Sequence, residues 1–311
     1  MPLFHIAIDK LVPVEQTNFS AEKVLQALIE GNLDTVFGCR LVASQFSTGA
    51  KHAGRIDTLA LSEDNNPVII EYKKVESSEL INQSLFYLAW LNDHRGDFEI
   101  AVQKALGPKV GVDWSGVRVL CIAPNYKKYD LHAVQVMGAN IELWTYRFFK
   151  NQTFYLEEVL QRSYAASATS ASSAKNPVMV AAGKKAAATK ATGSYTFEQH
   201  IAGKPGAIRD IALAVEEFVM SLDPAMEEAP KKLYVAYKMS KNIVCMEVQQ
   251  QKITLFLKLD PKKVVGPPGI SRDVSDIGHF GTGDLEVTIK RPNDFEAAKP
   301  FIRMAYEKVG G

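Results

Sequence analysis

Between Ser163 and Ser194 the chain runs SYAASATSASSAKNPVMVAAGKKAAATKATGS, with almost no large apolar residue beyond Val178, Met179 and Val180. A stretch this poor in apolar surface cannot offset the entropy lost on ordering its backbone, so it predicts a flexible tether rather than part of a core. The tether divides 311 residues, 47% of them hydrophobic, into a first domain over 1–162 and a second over 195–311. Each is long enough to bury a core of its own.

Charge follows the same division. Lys and Arg against Asp and Glu give a net −3 for 1–162, +4 for the tether and 0 for 195–311. The tether lysines, Lys175, Lys184, Lys185 and Lys190, suit either loose phosphate contacts or simple solvation of a linker. No run approaches the ~18–20 apolar residues of a bilayer span, and MPLFHIAIDKLVPVE lacks the pattern of a secretory signal. The expectation is a cytoplasmic protein without a membrane partner. Cys39, Cys121 and Cys245 stand apart inside apolar stretches, without metal-site spacing, and are expected as buried free thiols.

Hydrophobic periodicity makes the first domain α/β. AEKVLQALIEG behind Ser20 has helical spacing and a glycine exit. Strand candidates follow at 39–46, 54–61 and 67–74, the last two joined by the polar turn SEDNN. A helix capped by Ser77 or Ser78 covers ELINQSLFYLAWLNDH, with a second helical piece beyond Gly96 reaching Leu106. VRVLCIAP, YDLHAVQVMG and NIELWTYRFF add strand, helix and strand. The resulting order is α-β-β-β-α-β around a mixed sheet.

The residues that carry chemistry lie in GRIDTLALSEDNNPVIIEYKK. Strand alternation puts Glu71 and Lys73 on one face and Val68, Ile70 and Tyr72 on the other. A hairpin closing through 62–66 brings Asp57 toward Glu71. Two carboxylates and an ammonium then converge at one sheet edge beside apolar neighbours, where charge is costly unless paired or bound to a counter-ion. A divalent cation with open positions for water and phosphate resolves the conflict and points to phosphodiester hydrolysis. A structural ion pair on a twisted hairpin is the competing reading.

Asp57, thirteen intervening residues, then Glu71-Tyr72-Lys73 resembles the D…(D/E)xK signature of the PD-(D/E)xK nuclease superfamily. GRID and IIEYKK are similar to the forms in NucS-type endonucleases, and Gln83 with Tyr87 in QSLFY resembles the Q-x-x-x-Y motif of RecB-like members. The resemblance covers residues 1 to about 160. It implies a restriction-endonuclease-like, tRNA-endonuclease-like core acting on nucleic acid, DNA in the first instance, with Mg²⁺ or Mn²⁺ as cofactor. It further implies Asp57, Glu71 and the Tyr72 carbonyl as metal ligands, and Asp57, Glu71, Lys73 and Gln83 as the catalytic set. Glu22 is expected as the acid of the first helix and Tyr87 as support. Gln45 stands where relatives carry an acid, so a nuclease-derived module that binds or scaffolds without cutting is the alternative. His52, on the loop entering the Asp57 strand, is a candidate phosphate contact or a solvated loop residue.

The second domain reads as α+β: a helix in GAIRDIALAVEEFVMSL, three strand candidates in 231–259, a strand in DLEVTIKR and a closing helix in DFEAAKPFIRMAYEKV. It holds no catalytic constellation. It resembles a domain of unknown function that follows nuclease-like domains in bacterial chains historically labelled predicted transport protein. Recognition or recruitment is the role expected of it. A homodimer and a protein partner on the second domain are compatible with this reading.

Overall fold

The structure, a computed structural model, describes residues 2–49, 54–77, 79–137, 140–159 and 195–309. His52, Ser78 and the segment 163–194 lie outside the described residues. The chain divides into two units, Met1–Ala191 and Thr192–Gly311.

In the first unit the elements run β1 (Leu3–Ala7), β2 (Lys10–Val14), β3 (Gln16–Thr17), α1 (Glu22–Glu30), α2 (Leu33–Phe37), β4 (Cys39–Ser47), β5 (Arg55–Ser62) and β6 (Pro67–Tyr72). They continue with α3 (Glu79–Asp93), α4 (Arg95–Leu106), β7 (Arg118–Ala123), α5 (Lys128–Met137), β8 (Ile141–Phe149) and β9 (Phe154–Glu158). Seven strands form one mixed sheet in the order β3-β8-β7-β6-β5-β4, with β9 on the other edge of β8. β4, β5 and β6 form an antiparallel meander, whereas β6, β7 and β8 run parallel. The β1–β2 hairpin forms a separate two-stranded sheet.

Every residue of β6 is buried, as expected of a strand flanked by neighbours and covered on both faces. Val68, Ile70 and Tyr72 pack with Leu25, Ile29 and Phe37 from α1 and α2. Ile69 turns the other way, into Leu80 and Leu91 of α3, Phe98 and Val102 of α4 and Val134 of α5. Helices therefore cover both sheet faces, and each fully buried Leu, Ile or Phe contributes roughly 1.5–3 kcal/mol. The helical order departs from expectation in its details. The N-cap of α1 is Ala21, with no side-chain cap, and the Ser20 carbonyl instead accepts a hydrogen bond from Lys74 Nζ at 2.8 Å. The break between α3 and α4 falls at His94, two residues before Gly96.

The second unit comprises α6 (Phe197–Ile201), α7 (Gly206–Met220), β10 (Glu227–Pro230), β11 (Val235–Lys238), β12 (Asn242–Val248), β13 (Ile253–Leu257), β14 (Ser271–Asp273), β15 (Leu285–Ile289) and α8 (Pro292–Val309). Its sheet is antiparallel in the order β10-β11-β12-β13-β15-β14. α7 and α8 contribute Ile211, Val215, Phe295 and Ile302 to a core with Val244, Leu255 and Val287. The glycine-rich loop 266–284 packs against the sheet. His279 stacks on Phe256 at 4.2 Å, and Gly281, at φ 82°, lies so close that a Cβ there would stand 2.6 Å from Cys245. All three cysteines are buried free thiols. Among the described residues no helix is long and apolar enough to cross a membrane.

Candidate active site

The β5–β6 ladder has its last recorded pair at Thr58 and Ile70, so Asp57 and Glu71 are the next residues facing each other across it. Their carboxylates take up backbone donors there. The Asp57 N–H donates to Glu71 Oε1 at 3.0 Å, and the Tyr72 N–H donates to Asp57 Oδ2 at 3.2 Å. The two acids are thereby held side by side at the end of a buried strand by reciprocal main-chain bonds.

Glu71 is fully buried, and among the described residues no hydrogen-bond donor reaches its Oε2, which has the Asp57 carboxyl beside it. Burial and then the neighbouring Asp57 charge push its carboxyl up from 4.5 to about 9. Asp57 is raised as well, chiefly by burial, with the Tyr72 N–H, Gln45 and Lys73 acting in the opposite direction. Lys73 lies near enough to favour the ionised form of both acids. Its Nζ is 3.6 Å from Glu22 Oε1, while Glu22 Oε2 accepts the Lys74 N–H at 3.1 Å. Asp57, Glu71, Lys73 and Glu22 thus meet at one sheet end.

A second set of contacts was not anticipated from sequence. Gln45 Nε2 donates to Asp57 Oδ1 at 3.0 Å and to Gln26 Oε1 at 2.9 Å. Gln26 Nε2 in turn reaches the Asp57 carbonyl, Ser44 Oγ and Glu30 Oε1, and Glu30 also accepts from Thr58 Oγ1 at 2.5 Å. Gln45 adopts φ 52° inside a strand, a left-handed conformation uncommon for any residue with a side chain. The missed signal is the helical stripe of α1: Glu22, Leu25, Gln26, Ile29 and Glu30 fall at i, i+3, i+4, i+7 and i+8, one face turned toward the sheet.

Gln83 and Tyr87 share a face of α3 as expected, yet they act on the backbone and not on the carboxylates. Gln83 Nε2 donates to Tyr87 Oη at 3.0 Å. Tyr87 Oη accepts the Arg55 N–H at 3.2 Å and donates to the Arg55 carbonyl at 2.9 Å, clamping the strand two residues before Asp57. The Tyr72 side chain points into the core, where its hydroxyl lies 3.3 Å from Thr58 Oγ1; only its main chain belongs to the site.

Among the described residues no group of three or more His, Cys, Asp or Glu is arranged to hold a metal ion. The donors brought together are instead the two carboxylates of Asp57 and Glu71. The buried Oε2 of Glu71 fits a hard cation that takes one or two protein carboxylates and fills its remaining positions with water and phosphate oxygens.

A domain of unknown function, DUF5655, is present at the C-terminus, its family model matching residues 197–309. Over 309 residues the chain is 28% identical to an uncharacterized protein of Haemophilus influenzae (strain ATCC 51907 / DSM 11121 / KW20 / Rd), an alignment covering 98% of this chain and 99% of that relative. Among solved structures, an EndoMS–dsDNA2 complex superposes on 43% of this chain and 49% of its own at 18% identity, with a TM-score of 0.30. A repair endonuclease from Pyrococcus abyssi superposes on 41% and 47% at 16% identity, with a TM-score of 0.23. The chain spans about half the length of each of these two, and superpositions this loose leave the functional reading to the site's own geometry.

Proposed function

We propose that the first unit is a metal-dependent nuclease core of the PD-(D/E)xK type that hydrolyses phosphodiester bonds in DNA, with the second unit serving recognition or recruitment. The observation that carries this reading is the buried Oε2 of Glu71 beside Asp57, a carboxylate pair stable only with a proton or a cation between its members.

Asp57, Glu71 and the Tyr72 carbonyl would hold Mg²⁺ or Mn²⁺. When bound, such an ion supplies charge neutralisation for a phosphate and acidifies a coordinated water. Lys73, kept from swinging into solvent by Glu22, stabilises negative charge developing on the phosphate and orients the attacking water. Gln45 fixes the Asp57 carboxylate from the side. Tyr87, held by Gln83, fixes the strand that presents Asp57. These last three are positioning residues.

Gln45 also favours a second reading. An amide donating into Asp57 occupies a lone pair that a carboxylate at 45 would leave for a cation, which suits a nuclease-derived module that binds nucleic acid without cutting. Incubating the full chain with single-stranded, branched and mismatched DNA and with RNA, in Mg²⁺ or Mn²⁺ and in chelator, separates the two. Cleavage that needs the ion and is lost in Asp57→Asn supports the nuclease; binding without cleavage of any substrate supports the second reading.

A further inference from the structure

From the β1–β2 hairpin we infer that this protein pairs with a second copy of itself, apolar face to apolar face. The hairpin is a two-stranded sheet joined to no other strand among the described residues, and such a unit is marginal in water unless something covers it. Cross-strand partners point to the same side, so the uncharged pairs Phe4–Pro13 and Ile6–Leu11 define one face, bordered beyond β2 by Glu15, which is ion-paired with Lys150. Phe4 is 45% exposed, Ile6 71% and Leu11 66%, with Ile8 at the tip 94% exposed.

The tip adds an independent observation. Ile8 and Asp9 form a two-residue loop in which Ile8 has φ 55°, the position where a type II′ turn takes glycine. A β-branched residue there is strained, and a strained side chain left 94% exposed points to an external contact.

The occupant follows from the chemistry of the face. A surface with no charge selects a neutral apolar surface of similar width, and a second copy presents that same surface across a two-fold axis. Four side chains exposed to these extents offer on the order of 500 Å² per copy, so a pair would bury roughly 1,000 Å², the lower bound for a specific interface. Among the described residues no further strand pairs with the outer edges of β1 and β2, which leaves them open to strand pairing across the axis.

Sedimentation velocity on the full chain from about 1 to 100 µM tests this. A concentration-dependent monomer–dimer equilibrium is expected. Ile6→Lys and Leu11→Lys should each raise its dissociation constant by roughly 100-fold or more, with the circular dichroism spectrum unchanged because both side chains are already largely exposed. Ile8→Gly, which relieves the backbone strain and so cannot harm the fold, should also weaken the dimer. Val12→Lys, on the opposite face with His5, should leave it within about threefold. A wild-type chain monomeric throughout that range, or a dimer indifferent to Ile6→Lys and Leu11→Lys, would overturn the inference.

Discussion

Glu71 is a buried carboxyl beside a second acid, and the consequence can be measured without any substrate. Folding raises its carboxyl from 4.5 to about 9, so the folded chain retains a proton that the unfolded chain has already released. Stability is therefore fully present below about pH 4.5, falls as pH rises toward 9 by at most ~1.4 kcal/mol per unit, and levels off above. The raised Asp57 carboxyl acts in the same direction. Urea denaturation in chelator at stepped pH should show this decline in the wild type and a much flatter curve in Glu71→Gln; parallel curves would contradict it. Lys73 has a different signature. Lys73→Ala should lower cleavage by roughly 10² or more while nucleic-acid binding changes far less, as single-turnover rates and binding titrations would show. Both residues were legible in the sequence because strand alternation places Glu71 and Lys73 on one face. Gln26 was not, because a lone polar residue on an amphipathic helix reads as rim until the β5 backbone is seen against it.

At the scale of elements, the α3 clamp makes the position of β5 depend on a hydroxyl. Tyr87→Phe removes the group bonded to both main-chain polar atoms of Arg55 and should cost about 1–3 kcal/mol of unfolding free energy. Gly54→Ala attacks the same clamp sterically, since its Cβ would stand 2.8 Å from Tyr87 Cε1. It should lower the melting temperature and reduce cleavage together, whereas Gly96→Ala, whose Cβ meets nothing, should do neither. Strands and helices with a full period were readable: β4 to β8 and α3 to α5 lie within a few residues of expectation. What escaped were the short or edge elements. α2 spans only Leu33–Phe37 and β3 only Gln16–Thr17, too brief for a period, and β9 owes its pairing to β8 rather than to any pattern of its own. In the second unit β10, whose four residues include Pro230, and the three-residue β14 were lost for the same reason.

For the molecule as a whole, the two units have separate cores, with Leu59, Ile69 and Leu91 in one and Val244, Leu255 and Ile302 in the other. Every candidate site residue lies in the first. The fragment 1–162 should accordingly fold alone and retain whatever metal-dependent cleavage the full chain has, with affinity or selectivity reduced by loss of the second unit. An inert fragment beside an active full chain would mean that the second unit contributes to the site. The assignment of Asp57 and Glu71 to a single divalent cation is tested most directly by calorimetric titration of Mn²⁺ into the full chain. It predicts a binding isotherm for the wild type that disappears in both Asp57→Asn and Glu71→Gln while their circular dichroism spectra stay native. Heats that are indistinguishable between the wild type and both variants would contradict it.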